Sequence, residues 1–154
     1  MMPVLLDAGP LLGSWRLVSW RIQGEDGQDL FPLGANPDGL LVYAPDGYMF
    51  AALMAPGRPG FLGGDPLRGT AEESQSATRG YHTYCGRYRI EDGRVLHAVE
   101  VALCPNLIGS EQVRYYRLED DRLILTTPPQ KRAGVTGQAE LIWRRPAADS
   151  DPPQ

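Results

Sequence analysis

A chain of 154 residues, 42% hydrophobic and 22% charged, has the size and composition of one globular domain with a real hydrophobic core. Its formal net charge of -4 and pI near 5.1 argue against nucleic acid as a partner, because binding a phosphate backbone needs a basic surface. No apolar run reaches the length of a membrane span, and the start Met1-Met2-Pro3-Val4-Leu5-Leu6-Asp7 lacks the basic head and apolar centre of a secretion signal. A cytoplasmic protein without a membrane partner is expected.

Residues 1–10 read as an N-terminal extension, 11–145 as the domain and 146–154 as a disordered tail rich in proline and aspartate. Gly13 to Ile22 reads as a first strand, with Trp15 and Leu17 on one face and Arg16 on the other. After the turn Gly24-Glu25-Asp26-Gly27 and a proline- and glycine-containing loop, Leu40 to Ala44 forms a second strand. Pro45-Asp46-Gly47 then predicts a hairpin into Tyr48 to Met54, because glycine supplies the positive φ such turns need. Residues 55–69, APGRPGFLGGDPLRG, suit no regular element.

Thr70-Ala71-Glu72-Glu73 carries the capping-box pattern and predicts a helix over about Ala71 to Tyr81, with only a weak apolar stripe. His82, at or past its end, is expected to be exposed. Five strand-like runs follow: Gly86 to Ile90, Arg94 to Leu103, Val113 to Leu118, Arg122 to Thr127 and Ala139 to Arg145. Cys85 and Cys104 lack metal-ligand or CxxC spacing and read as free thiols, with a disulfide left open.

About eight short strands joined mostly by tight turns suggest an all-β fold, an antiparallel meander. Closing a meander into an up-and-down barrel removes its exposed edges, and a sandwich is the alternative. Eight strands leave an interior that side chains fill or that holds one small ligand.

Leu12-Gly13-Ser14-Trp15 followed by Pro32-Leu33-Gly34-Ala35-Asn36-Pro37, then Gly39 to Gly47, Tyr84 to Tyr88, His97 to Val101 and Leu141-Ile142-Trp143, resembles the bacterial and fungal lipocalin-like domain family. The resemblance covers nearly the whole chain. It implies an eight-stranded, calycin-type barrel with the one helix near a mouth. It also implies that Trp15 packs under a basic residue of the last strand, Arg144 or Arg145, of which Arg145 shares parity with Trp143. Members of such a fold include carriers and enzymes, so no catalytic set transfers.

Chemistry is sought among the polar residues that alternation turns inward. In Val95 to Leu103 a period of two puts His97 with Val95, Val99, Val101 and Leu103, and leaves Glu100 on the other face. In Val113 to Leu118, Arg114 and Tyr116 share the side of Leu118; a one-residue slip would turn both outward. His97 is the candidate acid or base, and Arg114 and Tyr116 are candidate stabilisers of developing negative charge. Tyr43, Tyr88 and Trp143 are candidate ligand contacts. The competing reading makes His97 a hydrogen-bonded core histidine and the aromatics ordinary packing.

No phosphate-binding glycine loop, HExxH pattern or nucleophile elbow occurs, and neither cofactor nor metal is expected. The expected function is binding of a small, largely apolar, oxygen-bearing organic molecule, with cofactor-independent isomerisation or cyclisation in secondary metabolism of polyketide or terpene type. The alternative is a non-catalytic carrier or sequestering protein.

Overall fold

The computed structural model describes residues 6–147, so the tail expected over 146–154 lies almost wholly outside the described residues. The chain runs through a 3-10 helix (Leu6–Leu11), β1 (Gly13–Gly24), β2 (Asp29–Leu30), β3 (Asp38–Tyr43), β4 (Tyr48–Met54), α1 (Ala71–Arg79) and β5 (Tyr81–Glu91). It continues with β6 (Arg94–Ala102), a second 3-10 turn (Pro105–Leu107), β7 (Glu111–Glu119), β8 (Arg122–Thr126), β9 (Gln130–Arg132) and β10 (Val135–Arg144).

Strands β1, β3, β4, β5, β6, β7, β8 and β10 pair antiparallel in that order, and β10 returns to β1 through contacts such as Leu17 with Trp143 and Ile22 with Ala139. The result is a closed eight-stranded barrel. β2 and β9 are short additions beside β1 and β10. No helix among the described residues is long and apolar enough to cross a membrane.

The two ends of the barrel differ. At one end the connections are tight: the turn at 44–47, closed by Ala44 N–H donating to Tyr48 O at 2.8 Å, and the turns at 92–93 and 120–121. Here the first 3-10 helix plugs the barrel, with Ala8 and Leu11 buried in the core and the Trp15 indole donating to Leu11 O at 2.9 Å. The Arg145 guanidinium lies 3.7 Å from the Trp15 ring and donates to the carbonyls of Pro10 and Ser14. Gly13, at φ 101°, leaves room for it, since a β-carbon there would sit 3.2 Å from an Arg145 nitrogen. This explains the Gly-x-Trp start as a floor motif.

At the other end the connections are long, and one carries α1. Its capping box forms as expected, with Thr70 Oγ1 accepting from Glu73 N–H at 3.1 Å and the Glu73 carboxylate accepting from Thr70 N–H at 2.9 Å. No helix residue is buried. The helix stops at Arg79, two residues earlier than expected, because Gly80 caps it and Tyr81 already belongs to β5. His82 therefore stands on a strand beside the barrel mouth instead of on an exposed helix end, which corrects the expectation for it.

Two β-bulges reset the alternation. In β1 the register shifts between Leu17 and Ser19, so Trp15 and Leu17 are followed inward by Trp20 and Ile22. In β6 it shifts where Cys85 faces Val101 but Gly86 faces Val99, leaving Glu100 unpaired. Val101 and Leu103 consequently point outward, 63% and 38% exposed, contrary to the simple period of two. Gly86 makes the second bulge feasible, since a β-carbon there would collide with the Ala98 carbonyl oxygen. Cys85 and Cys104 are free, the first half-buried and the second exposed.

Candidate functional site

The half of the barrel away from the plugged end holds a cavity of about 140 Å³. That is close to the size of apolar cavities that accept one benzene ring. Its aliphatic wall includes Leu41, Leu53, Leu125 and Leu141, and Trp20 and Trp143 flank it. Around the mouth stand His82 and Tyr84 from β5, Gln112 and Arg114 from β7, and Gln130 and Arg132 from the hairpin of β9 and β10.

His97 is fully buried in the cavity wall, and both ring nitrogens are bonded to phenols: Nε2 to Tyr43 Oη at 2.8 Å and Nδ1 to Tyr84 Oη at 2.6 Å. Burial, reinforced by the nearby Arg114 guanidinium, pushes its pKa down to about 3, so the imidazole is neutral at physiological pH. Burial raises both phenols above their ordinary value, Tyr43 the further of the two, with Arg114 pulling the other way in each case. His82 is likewise held below its usual range by burial and then by Arg114 and Arg132.

The Tyr43 hydroxyl is buried with His97 Nε2 as its one hydrogen-bond partner among the described residues, so its proton is satisfied by donation to Nε2. Nδ1 then carries the imidazole proton and donates to Tyr84, which leaves the Tyr84 O–H free to donate at the cavity wall.

Two more donors belong to side chains that line the cavity. The indole N–H groups of Trp20 and Trp143 are buried without a partner among the described residues, and Trp143 is only 1% exposed. A buried, unpaired donor costs about 1–3 kcal/mol, a cost that an acceptor on a bound ligand would relieve.

Residues 12–146 match the model of the lipocalin-like domain family. The chain belongs to that family. A relative from Aspergillus oryzae, named 4'-hydroxy-3'-methoxypropiophenone carrier protein ppsC, is 37% identical over 106 residues, covering 63% of this chain and 96% of the relative. A solved lipocalin-like protein from Bacteroides uniformis aligns with 14% identity and a TM-score of 0.45 over 89% of this chain and 99% of its own. A protein from Bacteroides eggerthii aligns with 12% identity and a TM-score of 0.42 over 87% and 98%.

Within this lipocalin-like barrel the candidates taken from sequence divide. His97, Arg114 and Trp143 all line the cavity. The β7 register has Gln112, Arg114 and Tyr116 inward and Tyr115 outward, without the one-residue slip. Tyr116 nevertheless packs against the core outside the cavity lining, because β7 runs from the mouth toward the plugged end and Tyr116 lies further along it. Tyr43 and Tyr88 also lie outside the lining. Their rings pack at a 59° tilt with centroids 4.8 Å apart, and Tyr88 donates to Ala44 O at 2.8 Å. Tyr43 therefore acts through His97 and Tyr88 is part of the core. Glu100 is exposed, as its parity implied, even though it sits in a bulge.

Sequence reasoning missed Trp20, His82, Tyr84, Gln112 and Arg132. The three-residue spacing from Leu17 to Trp20 was the signal for the first bulge. The alternation of His82, Tyr84, Gly86 and Tyr88 was the signal that β5 starts early.

Proposed function

We propose that this protein binds a small, largely apolar organic molecule bearing oxygen acceptors inside the barrel, and acts as its carrier. The observation that carries the reading is the ring-sized cavity flanked by Trp20 and Trp143, whose buried indole N–H groups lack acceptors. An aryl ketone would place its ring among the leucines and its oxygens on these donors. The relative named as a carrier of 4'-hydroxy-3'-methoxypropiophenone supports a ligand of this chemical kind.

Cofactor-independent isomerisation or cyclisation is the second reading. It is favoured by the Tyr84 hydroxyl at the cavity wall, bonded to His97 at 2.6 Å and standing beside Arg114. In that reading Tyr84 donates to an enolate oxygen and His97 orients it.

Titration of 4'-hydroxy-3'-methoxypropiophenone into the protein, followed by tryptophan fluorescence, tests the first reading. Saturable quenching that is weakened in Trp143→Phe, with the ligand recovered unchanged, is expected. Absence of saturable binding overturns it, and recovery of a rearranged product establishes the second reading instead.

A further inference from the structure

The charge inside the barrel is opposite in sign to the charge of the whole protein. The chain carries a formal net charge of -4, yet among the described residues no aspartate or glutamate lines the cavity, while Arg114 and Arg132 both do. Among the described residues every ion pair is made by other arginines. Arg114 donates to the backbone carbonyl of its neighbour Val113 at 2.9 Å and to the Tyr84 hydroxyl oxygen. Arg132 donates to Lys131 O at 3.0 Å and, at 3.5 Å, to the Gln112 amide oxygen. Two guanidiniums thus face a low-dielectric space with most of their N–H groups unused.

Other donors converge on the same space: the free Tyr84 hydroxyl and the unpartnered indoles of Trp20 and Trp143. Against them, the open acceptors are the Gln130 amide oxygen and one nitrogen of neutral His82. Such a wall suits a ligand that only accepts.

We propose that Arg114 and Arg132 form an oxyanion subsite at the cavity mouth, and that the ligand is bound as an aromatic monoanion, a phenolate or carboxylate, with its ring among the leucines of the wall. The inference rests on the cavity being the ligand site. Guanidinium groups favour this role because they stay charged and present a planar fork to oxygen. Arg132 is held below its ordinary pKa by burial and then by Arg114, so the two cations repel each other until an anion enters. A hydroxyl para to an acyl group suits the site, since the ketone delocalises the phenolate charge and ionisation near neutral pH follows.

The groups that face the two arginines are Tyr84 and His82 on β5, His97 on β6, Tyr43 on β3 and Cys104 beside Arg132. Both histidines are pushed down and both tyrosines up, and Cys104→Ser serves as the control for the thiol.

The test places 4'-hydroxy-3'-methoxypropiophenone under excess protein and follows the near-ultraviolet band that separates phenol from phenolate between pH 5 and 9. The bound probe should ionise at least one pH unit below the free probe. Arg132→Gln, on a rim hairpin outside the core, should return the bound value at least halfway, with circular dichroism confirming the fold. The methyl ether 3',4'-dimethoxypropiophenone, which cannot ionise, should bind at least tenfold more weakly at pH 8. Displacement of the probe by 4-ethylbenzoate would extend the subsite to carboxylates, and failure of displacement would confine it to phenolates; either result upholds an oxyanion site. A probe bound as the neutral phenol, or an ether bound equally well, overturns the subsite and leaves the cavity reading intact. Absence of binding by both ketones overturns the cavity reading and the subsite with it.

Discussion

Lowering the pH from 7 to 5 should destabilise this protein through His97, and replacing His97 with glutamine should remove most of that sensitivity. In the folded chain the imidazole titrates at about 3, against an ordinary value of 6.5, because it is buried and faces Arg114. A depressed pKa means that the unfolded chain binds the proton first, so the stabilisation is complete above 6.5 and is lost as the pH falls toward 3. Each pH unit in that window corresponds to about 1.4 kcal/mol, so at pH 5 the loss is about 2 kcal/mol.

Urea unfolding at pH 7 and pH 5 reads this directly, as a midpoint shift of about 1 M for a domain of this size. His97→Gln keeps a donor and an acceptor between the two phenols but does not titrate. It should be weaker than the parent at pH 7 and yet nearly flat to pH 5. His82 contributes with the same sign because it too is depressed, and His82→Gln separates its share. Glu73, held low by the amides of Thr70 and Leu62, also loses its contribution on acidification, but only as the pH falls below the ordinary carboxylate range. Equal losses between pH 7 and 5 in the parent and in His97→Gln would refute the neutral, buried imidazole.

The bulge and the plug give two further tests. Gly86→Ala drives a β-carbon into the Ala98 carbonyl, a backbone group that cannot swing away, and should cost about 1–3 kcal/mol or prevent folding. Thermal melting checks it, and an unchanged midpoint would show that the bulge at Glu100 is easily rearranged. Arg145→Ala removes the guanidinium from the Trp15 face together with its bonds to Pro10 and Ser14. A loss of about 1–2 kcal/mol, hence about 2–8 °C in Tm, is expected, with ligand affinity unchanged because the plug is at the opposite end from the cavity.

The barrel was legible because its signals are local and agree with one another. Pro45-Asp46-Gly47, Asp92-Gly93 and Asp120-Asp121 mark tight turns between alternating runs, and Gly13-Ser14-Trp15 marks the floor. What alternation could not reach was anything beyond a bulge. Counting by two from Trp15 carries the inward face to Ser19 instead of Trp20, and counting from His97 sends Val101 inward where it is exposed. The site suffers more than the fold from such slips, since a strand misplaced by one residue is still a strand but presents different chemistry. Arg132 was hidden for another reason, because it reaches the mouth from a three-residue strand too short to leave a pattern.

The geometry also changes what His97 can do. A general base works best with a pKa near the working pH, whereas an imidazole that titrates at about 3 is a weak base at pH 7. Both its nitrogens are engaged by phenols, so it reaches a ligand only through Tyr84. The same features suit an orienting role: a neutral imidazole locked between Tyr43 and Tyr84 fixes one hydroxyl proton toward the cavity without adding charge. Charge at the mouth comes instead from the guanidinium groups of Arg114 and Arg132. A pocket built in this way selects a ligand by its acceptors and charge, which fits the carrier role proposed above.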